Sequence, residues 1–350
     1  MPRGNTNGGV FLHYAAGSAV DAAAAMQGRP THLHPDRYTL RSEGVRRTPS
    51  GRRRPLHHLG RHIAMHVIKK LTLLLAWGAA LPALAGSDKL LLTGGVTQLE
   101  GAAGGGLTPW AVIAGYGTRD QIGANAFYTG VWSQDYGLAT GGIAVGLWDR
   151  LELSYARQRF NTREVGGALG LGNGFAFNQD VFGVKLRVLG NAVLDQDSWL
   201  PQIAIGVQHK RNDQGAVLRA IGAKDDHGTD FYVSATKLFL AQSVLANATL
   251  RQTKANQLGI LGFGGDKRDG YSTQFETSLA YLVRKDLAVG VEYRSKPDNL
   301  KIAREDDWYD FFVAYQPIKN VSVTLAYAHL GNIVIKDNQR APYLSLQVGF

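Results

Sequence analysis

Leu344, Leu346, Val348 and Phe350 share one face of the closing run Tyr343 to Phe350, and Tyr343, Ser345, Gln347 and Gly349 share the other. Successive side chains of a strand point to opposite faces, so the chain ends on a strand with one wholly apolar side. The same period recurs upstream. Val321, Val323, Leu325 and Tyr327 alternate with Ser322, Thr324 and Ala326, and Leu287, Val289, Val291 and Tyr293 alternate with residues that include Glu292 and Arg294. Phe182, Val184, Leu186 and Val188 stand opposite Gly183, Lys185 and Arg187. Charges mid-strand opposite aliphatics are expected when lipid lies outside a barrel and water inside. No long segment after residue 86 has helical period.

Turn-rich segments divide these runs, and their lengths alternate. Short connections are Pro317 to Asn320, Arg284 to Asp286, Leu240 to Ser243, Asn191 to Asp197, Trp148 to Arg150 and Thr118 to Gln121. Longer ones are Gly331 to Ala341, Lys296 to Glu305, Asn256 to Gly270, Asn212 to Gly228 and Asn161 to Asn178, with a compact exception near Ser133 to Tyr136. Outer-membrane barrels have short periplasmic turns and longer external loops. With both chain ends periplasmic, Thr108 to Gly117 needs an upward partner, and Lys89 to Gln98 supplies it through the Gly-rich Gly101 to Gly106. The fold predicted is all-β, an antiparallel up-and-down transmembrane barrel of 14 strands, or 12 if one pair is lost or merged. Aromatic residues gather near the strand ends, where amphipathic rings favour an interface.

Export is written just ahead of the barrel. Met65 to Lys70 is a short cationic start, Leu71 to Leu81 is an apolar run too short to span a bilayer, and Ala83-Leu84-Ala85 places cleavage before Gly86. Residues 65–85 read as a signal peptide and 86–350 as the barrel. Residues 1–64 carry clusters such as Arg52-Arg53-Arg54 without sustained period, and read as a disordered extension from an upstream start, with Met65 the initiator and a basic arm the alternative. Residues 1–85 hold 12 Lys plus Arg and 3 Asp plus Glu, so 9 of the net +10 belong to them. The remainder is nearly neutral, which argues against a nucleic-acid partner. The chain has no cysteine, compatible with an oxidising periplasm.

The alternation places Glu152, Lys185, Arg187, Gln202, Gln208, Lys210, Asn247, Arg251, Glu276, Glu292, Arg294 and Asp310 toward the lumen. They either line a polar channel that selects solutes or pair across the interior and fill it. Arg157 and Arg159 share the phase of Leu153 and Tyr155 and are expected to face outward, in reach of lipopolysaccharide phosphates. Gly104-Gly105-Gly106 precedes Leu107-Thr108-Pro109 and a strand, not a helix, so it is no phosphate-binding loop. It reads as an external turn or as a segment folded into the barrel mouth. His209, His227 and His329 are scattered after residue 86, with no Gly-x-Ser-x-Gly elbow and no metal-ligand spacing; Asp225 to Asp230 reads as an exposed acidic turn. No enzyme, cofactor or metal is expected.

Two resemblances sharpen this. The tail Leu344, Leu346, Val348, Phe350 resembles the C-terminal signal of bacterial outer-membrane barrels, which implies recognition by the barrel-assembly machinery. Leu92 to Val96, Glu100 to Trp110 and Gly115 to Gly123 together resemble the opening of a proteobacterial family labelled domain of unknown function 3034. That likeness covers essentially residues 86–350 and implies an outer-membrane location without a substrate. The expected function is a passive channel or transport-related barrel for small polar solutes; the alternatives are an accessory barrel in surface polysaccharide export, a structural barrel and, further off, a lipid-modifying enzyme.

Overall fold

The computed structural model describes Lys89, Leu92 and residues 94–350. The predicted extension and signal peptide lie outside the described residues. Among these, twelve strands close into one antiparallel barrel. They are β1 (Ile122–Trp132), β2 (Gly137–Leu147), β3 (Leu151–Asn161), β4 (Ala176–Leu189), β5 (Gln202–Asn212) and β6 (His227–Phe239). The second half comprises β7 (Val244–Thr253), β8 (Ser272–Arg284), β9 (Leu287–Arg294), β10 (Trp308–Ile318), β11 (Val321–Ile333) and β12 (Lys336–Gly349). Each strand pairs with its sequence neighbours, and β12 closes on β1 with Leu346 opposite Tyr128, so no edge is left open.

Side-chain alternation sorts the two faces. Val291, Phe311 and Leu325 point outward and are about half exposed, while Glu292, Asp310 and Thr324 point inward and are buried. Trp148 and Trp199 stand out at the end with the short connections, here called the lower end, and Tyr293 and Tyr309 lie toward the upper end. Two short helices, α1 (Arg163–Ala168) and α2 (Gly215–Ala220), lie in the upper loops.

The twelve-strand alternative holds, and the fourteen-strand count does not. Lys89 to Gln98 and Thr108 to Gly117, read as two wall strands, are not wall: residues 94–117 contribute only a two-residue ladder of Val96–Thr97 with Ala103–Gly104 and otherwise lie inside the barrel as a plug. An even count keeps both chain ends at one end of the barrel, so the parity argument could not separate twelve from fourteen. One loop also differs. The long connection expected over Gly331 to Ala341 is a continuation of β11 and β12, which turn at Val334 and Ile335 with φ +54° at Val334 and register shifts about Gly331.

Candidate functional site

The plug is held by its backbone. A segment running through a lumen has peptide groups with no sheet partner, and buried ones need hydrogen bonds from elsewhere. Wall side chains supply them. Glu152 on β3 accepts from the backbone N–H of Ala103 at 3.1 Å and of Ala114 at 2.9 Å. Lys185 on β4 pairs with Glu152 at 3.0 Å and donates to the carbonyls of Ala103 (2.9 Å) and Trp110 (3.1 Å). Gln202 donates to Ala111 O at 2.7 Å, and the Ala111 N–H donates to Thr236 on β6 at 2.7 Å. The carbonyl of Pro109, which brings no N–H of its own, accepts from Ser234, Asn247 and Thr249 at 3.2, 3.3 and 2.9 Å. Gln158 and Thr140 hold the carbonyl of Leu99 in the same way.

One plug residue carries a charge into the lumen. Glu100 is fully buried and faces Lys210, Arg251 and Arg294. Arg294 reaches Glu100 at 2.6 Å and also donates to Leu107 O at 3.0 Å. Lys210 reaches Asp230 at 2.6 Å, and Arg251 bridges Asp230 and Glu276 at 3.3 and 2.5 Å. Three cations thus meet three carboxylates, and the cluster is neutral only with Glu100 in place. Taking charges from water is tolerable when pairing is this complete, whereas an orphaned member is expensive.

A second clamp lies beside it. Glu292 on β9 accepts from the Leu107 N–H at 2.8 Å, the Thr108 hydroxyl at 2.8 Å and the Ser278 hydroxyl at 2.7 Å. Asp310 is its cross-strand partner on β10, buried at 4% exposure, and neither of its carboxylate oxygens has a hydrogen-bond partner.

Above the plug the interior changes character. Leu107 below, Phe160, Trp308, Leu330 and Tyr343 around, and Ile260 above enclose a cavity of about 40 Å³ with almost purely carbon walls. Its roof is the turn Asn256–Gly259, kept in place by left-handed conformations at Gln257 (φ +45°) and Leu258 (φ +65°). Nearby, in the loop between β9 and β10, Lys296 pairs with Glu305 at 3.0 Å and sits 4.7 Å over the Trp308 ring. Burial lowers the Lys296 ammonium and raises the Glu305 carboxyl, each opposed by the other's charge.

The twelve residues assigned to the lumen therefore differ in role. Glu152, Lys185, Gln202, Asn247, Glu292 and Arg294 bind the plug backbone, and Lys210, Arg251 and Glu276 form the Glu100 cluster with it. Gln208 donates to Glu100 O and accepts from Arg251. Arg187 is half-buried at the lower end, where it holds Asp149 and Gly190 O and touches no plug residue. Asp310 contacts neither clamp through its oxygens. Sequence reasoning missed Glu100, which sits in a Gly-rich stretch without period. It also missed Asp230, Ser234 and Thr236, whose shared phase on β6 was the available signal.

Outside, Arg157 lies exposed and holds both oxygens of Asp180 at 3.0 Å, with Tyr155 Oη donating to the same carboxylate at 2.8 Å; Arg159 reaches Asn178 at 3.4 Å. Of the tail residues, Leu344 and Leu346 are half-buried and Val348 is buried. The Phe350 carbonyl accepts from the N–H groups of Tyr116 (2.8 Å) and Ala124 (2.9 Å). His227 contacts Asp226 at 2.9 Å, and among the described residues no group of three or more acidic or histidine side chains is placed to hold a metal.

Among solved structures the chain is similar to the KdgM porin, crystallised with disordered oligogalacturonate, at 11% identity and TM-score 0.42, over 65% of this chain and 99% of that one. It is similar to the Acinetobacter baumannii outer membrane protein Omp33 at 7% identity and TM-score 0.37, over 67% of this chain and all of that one. Outer membrane phospholipase A from Escherichia coli is similar at 10% identity and TM-score 0.37, over 64% and 92%. At these scores none of the three bears on function. No curated protein sequence matches the chain. A family model described as Protein of unknown function (DUF3034) matches residues 93–347, which takes in both the plug and nearly all of the barrel wall, and the chain belongs to that family.

Proposed function

We infer that the protein is an outer-membrane barrel with a transport-related role, whose passage is held shut by its own residues 94–117. Closure of the sheet and the outward apolar band support the membrane location: a closed antiparallel barrel with lipid-compatible residues outside satisfies every wall peptide without water. The observation that carries the closed passage is Glu100, a carboxylate brought by the plug into a neutral cluster of six buried charges. A barrel built only for rigidity gains little from ionic fillers, since apolar groups of similar volume stabilise as well or better. A segment fastened by polar contacts can instead be released when water or a solute takes over those contacts. The accessory role in polysaccharide export has less support, because the chamber above the plug offers a sugar chain few polar partners.

Single-channel recording of the refolded protein in a planar bilayer tests this. The native chain is expected to be silent at low voltage, with discrete steps appearing once the Glu100 cluster is weakened. Steady large steps from the native chain would overturn the closed state. Silence from a folded, plug-weakened variant would overturn the passage.

A further inference from the structure

We propose that the chamber above the plug is a binding site for a small, uncharged, mainly apolar molecule carrying one hydrogen-bond-accepting oxygen. The inference names the solute class for the passage just inferred and rests on that reading for its biological use, though not for the binding itself.

The walls define the class by what they offer and what they withhold. Phe160, Leu330, Ile260 and Leu107 present carbon, and no charged side chain lines the cavity. A water-filled barrel lumen is ordinarily polar, as this one is lower down. One polar atom on this wall stands apart: Trp308 Nε1, on a side chain more than nine-tenths buried, has no hydrogen-bond partner. An indole N–H only donates, so it suits an oxygen acceptor. A carboxylate is disfavoured, because the Glu292 carboxylate lies beside Tyr343 Oη: both crowd the same point next to Gly106, at 3.3 and 3.2 Å from where a Cβ would stand. A sugar would leave most of its hydroxyls unpaired against carbon. A ring or short chain with a single hydroxyl or carbonyl answers the indole N–H and buries the rest.

Size narrows it further. About 40 Å³ admits a few waters or a very small organic molecule. Larger members of the class need the Asn256–Gly259 roof to shift. That roof is a loop, not a wall strand, so it is the part able to move while the sheet stays closed.

The test uses the refolded full barrel in detergent, with 2-fluoroethanol, small enough for the chamber as it stands, as the probe read by fluorine NMR and protein-free micelles as the blank. Saturable binding at one site is expected, with glucose failing to compete. Trp308→Phe, which keeps an aromatic wall and removes one donor, is expected to weaken binding about fivefold, the loss of one hydrogen bond. Leu330→Trp, which fills the cavity, is expected to abolish it. Heat-modifiable mobility on gels checks that each variant is folded, and Trp308→Phe keeps the test open if Leu330→Trp fails to fold. No saturable signal from folded native protein, or affinity unchanged in Trp308→Phe, overturns the proposal. Binding by a protein that never conducts, even with its plug weakened, would leave the site standing and remove the passage.

Discussion

Gly105 of the plug lies so close against Glu292 of β9 that a Cβ placed on it would overlap the carboxylate Oε1. The neighbouring Leu107 N–H and Thr108 hydroxyl donate to that same carboxylate, so the tight approach and the clamp are one arrangement. The absence of a side chain at Gly105 is what lets the plug backbone reach the wall.

Gly105→Ala is therefore expected to push the plug off Glu292 while leaving the barrel closed. Overpacking of this kind costs about 1–3 kcal/mol. Planar-bilayer recording should show openings in the variant that the native chain lacks, with unchanged heat-modifiable mobility. An equally silent folded variant would mean that the Glu292 clamp does not hold the passage shut.

Glu100→Gln removes the only plug charge from the cluster with Lys210, Arg251 and Arg294 and leaves an excess cation in a buried site. Breaking a buried pair by removing one partner costs about 3–5 kcal/mol. The plug is expected to become accessible, read as protease cutting between residues 94 and 117 in a barrel that resists elsewhere. Glu164→Gln, at an exposed position of α1, is the control and should stay resistant.

The outward face should follow the bilayer and not the sheet. Leu325 stands outward near the middle of β11, and Leu325→Arg is expected to lower unfolding stability in lipid by about 2–4 kcal/mol. Arg157→Ala breaks an exposed pair with Asp180 and should change stability by about 1 kcal/mol or less. Urea titration of both variants in liposomes measures the contrast; equal effects would remove the lipid-facing assignment.

Lys296 and Glu305 form a buried pair in an upper loop, and each alone would be an uncompensated charge. Lys296→Met or Glu305→Leu singly is expected to destabilise by about 3–5 kcal/mol, and the double variant to recover most of it. Thermal denaturation of the three variants completes the cycle. If the double variant loses as much as the two singles together, the pair is not coupled.

Much of the wall was legible in the sequence because alternation reports a half-buried strand directly, and strands such as Val321 to Tyr327 carry it without interruption. The lumen residues followed from the same phase. The plug was not legible, for a physical reason. Residues 96–117 are buried throughout instead of alternating, and the peptide groups of Ala103, Leu107, Trp110 and Ala111 are answered by Glu152, Glu292, Lys185 and Gln202 and not by a wall ladder. Hydrophobic period says that a segment meets two environments; it does not say which groups meet its backbone. The chamber was likewise invisible, since Trp308 and Tyr343 line it from strands that meet it only when the barrel closes.

The Phe350 carbonyl receives N–H groups from Tyr116, where the plug leaves the lumen, and from Ala124, in the first wall strand. One carbonyl at the end of β12 thus holds both the first wall strand and the plug's exit, which ties the seam between β12 and β1 to the plug. Seam and stopper share one acceptor, so a chain that opened between β12 and β1 would loosen the plug's exit in the same movement.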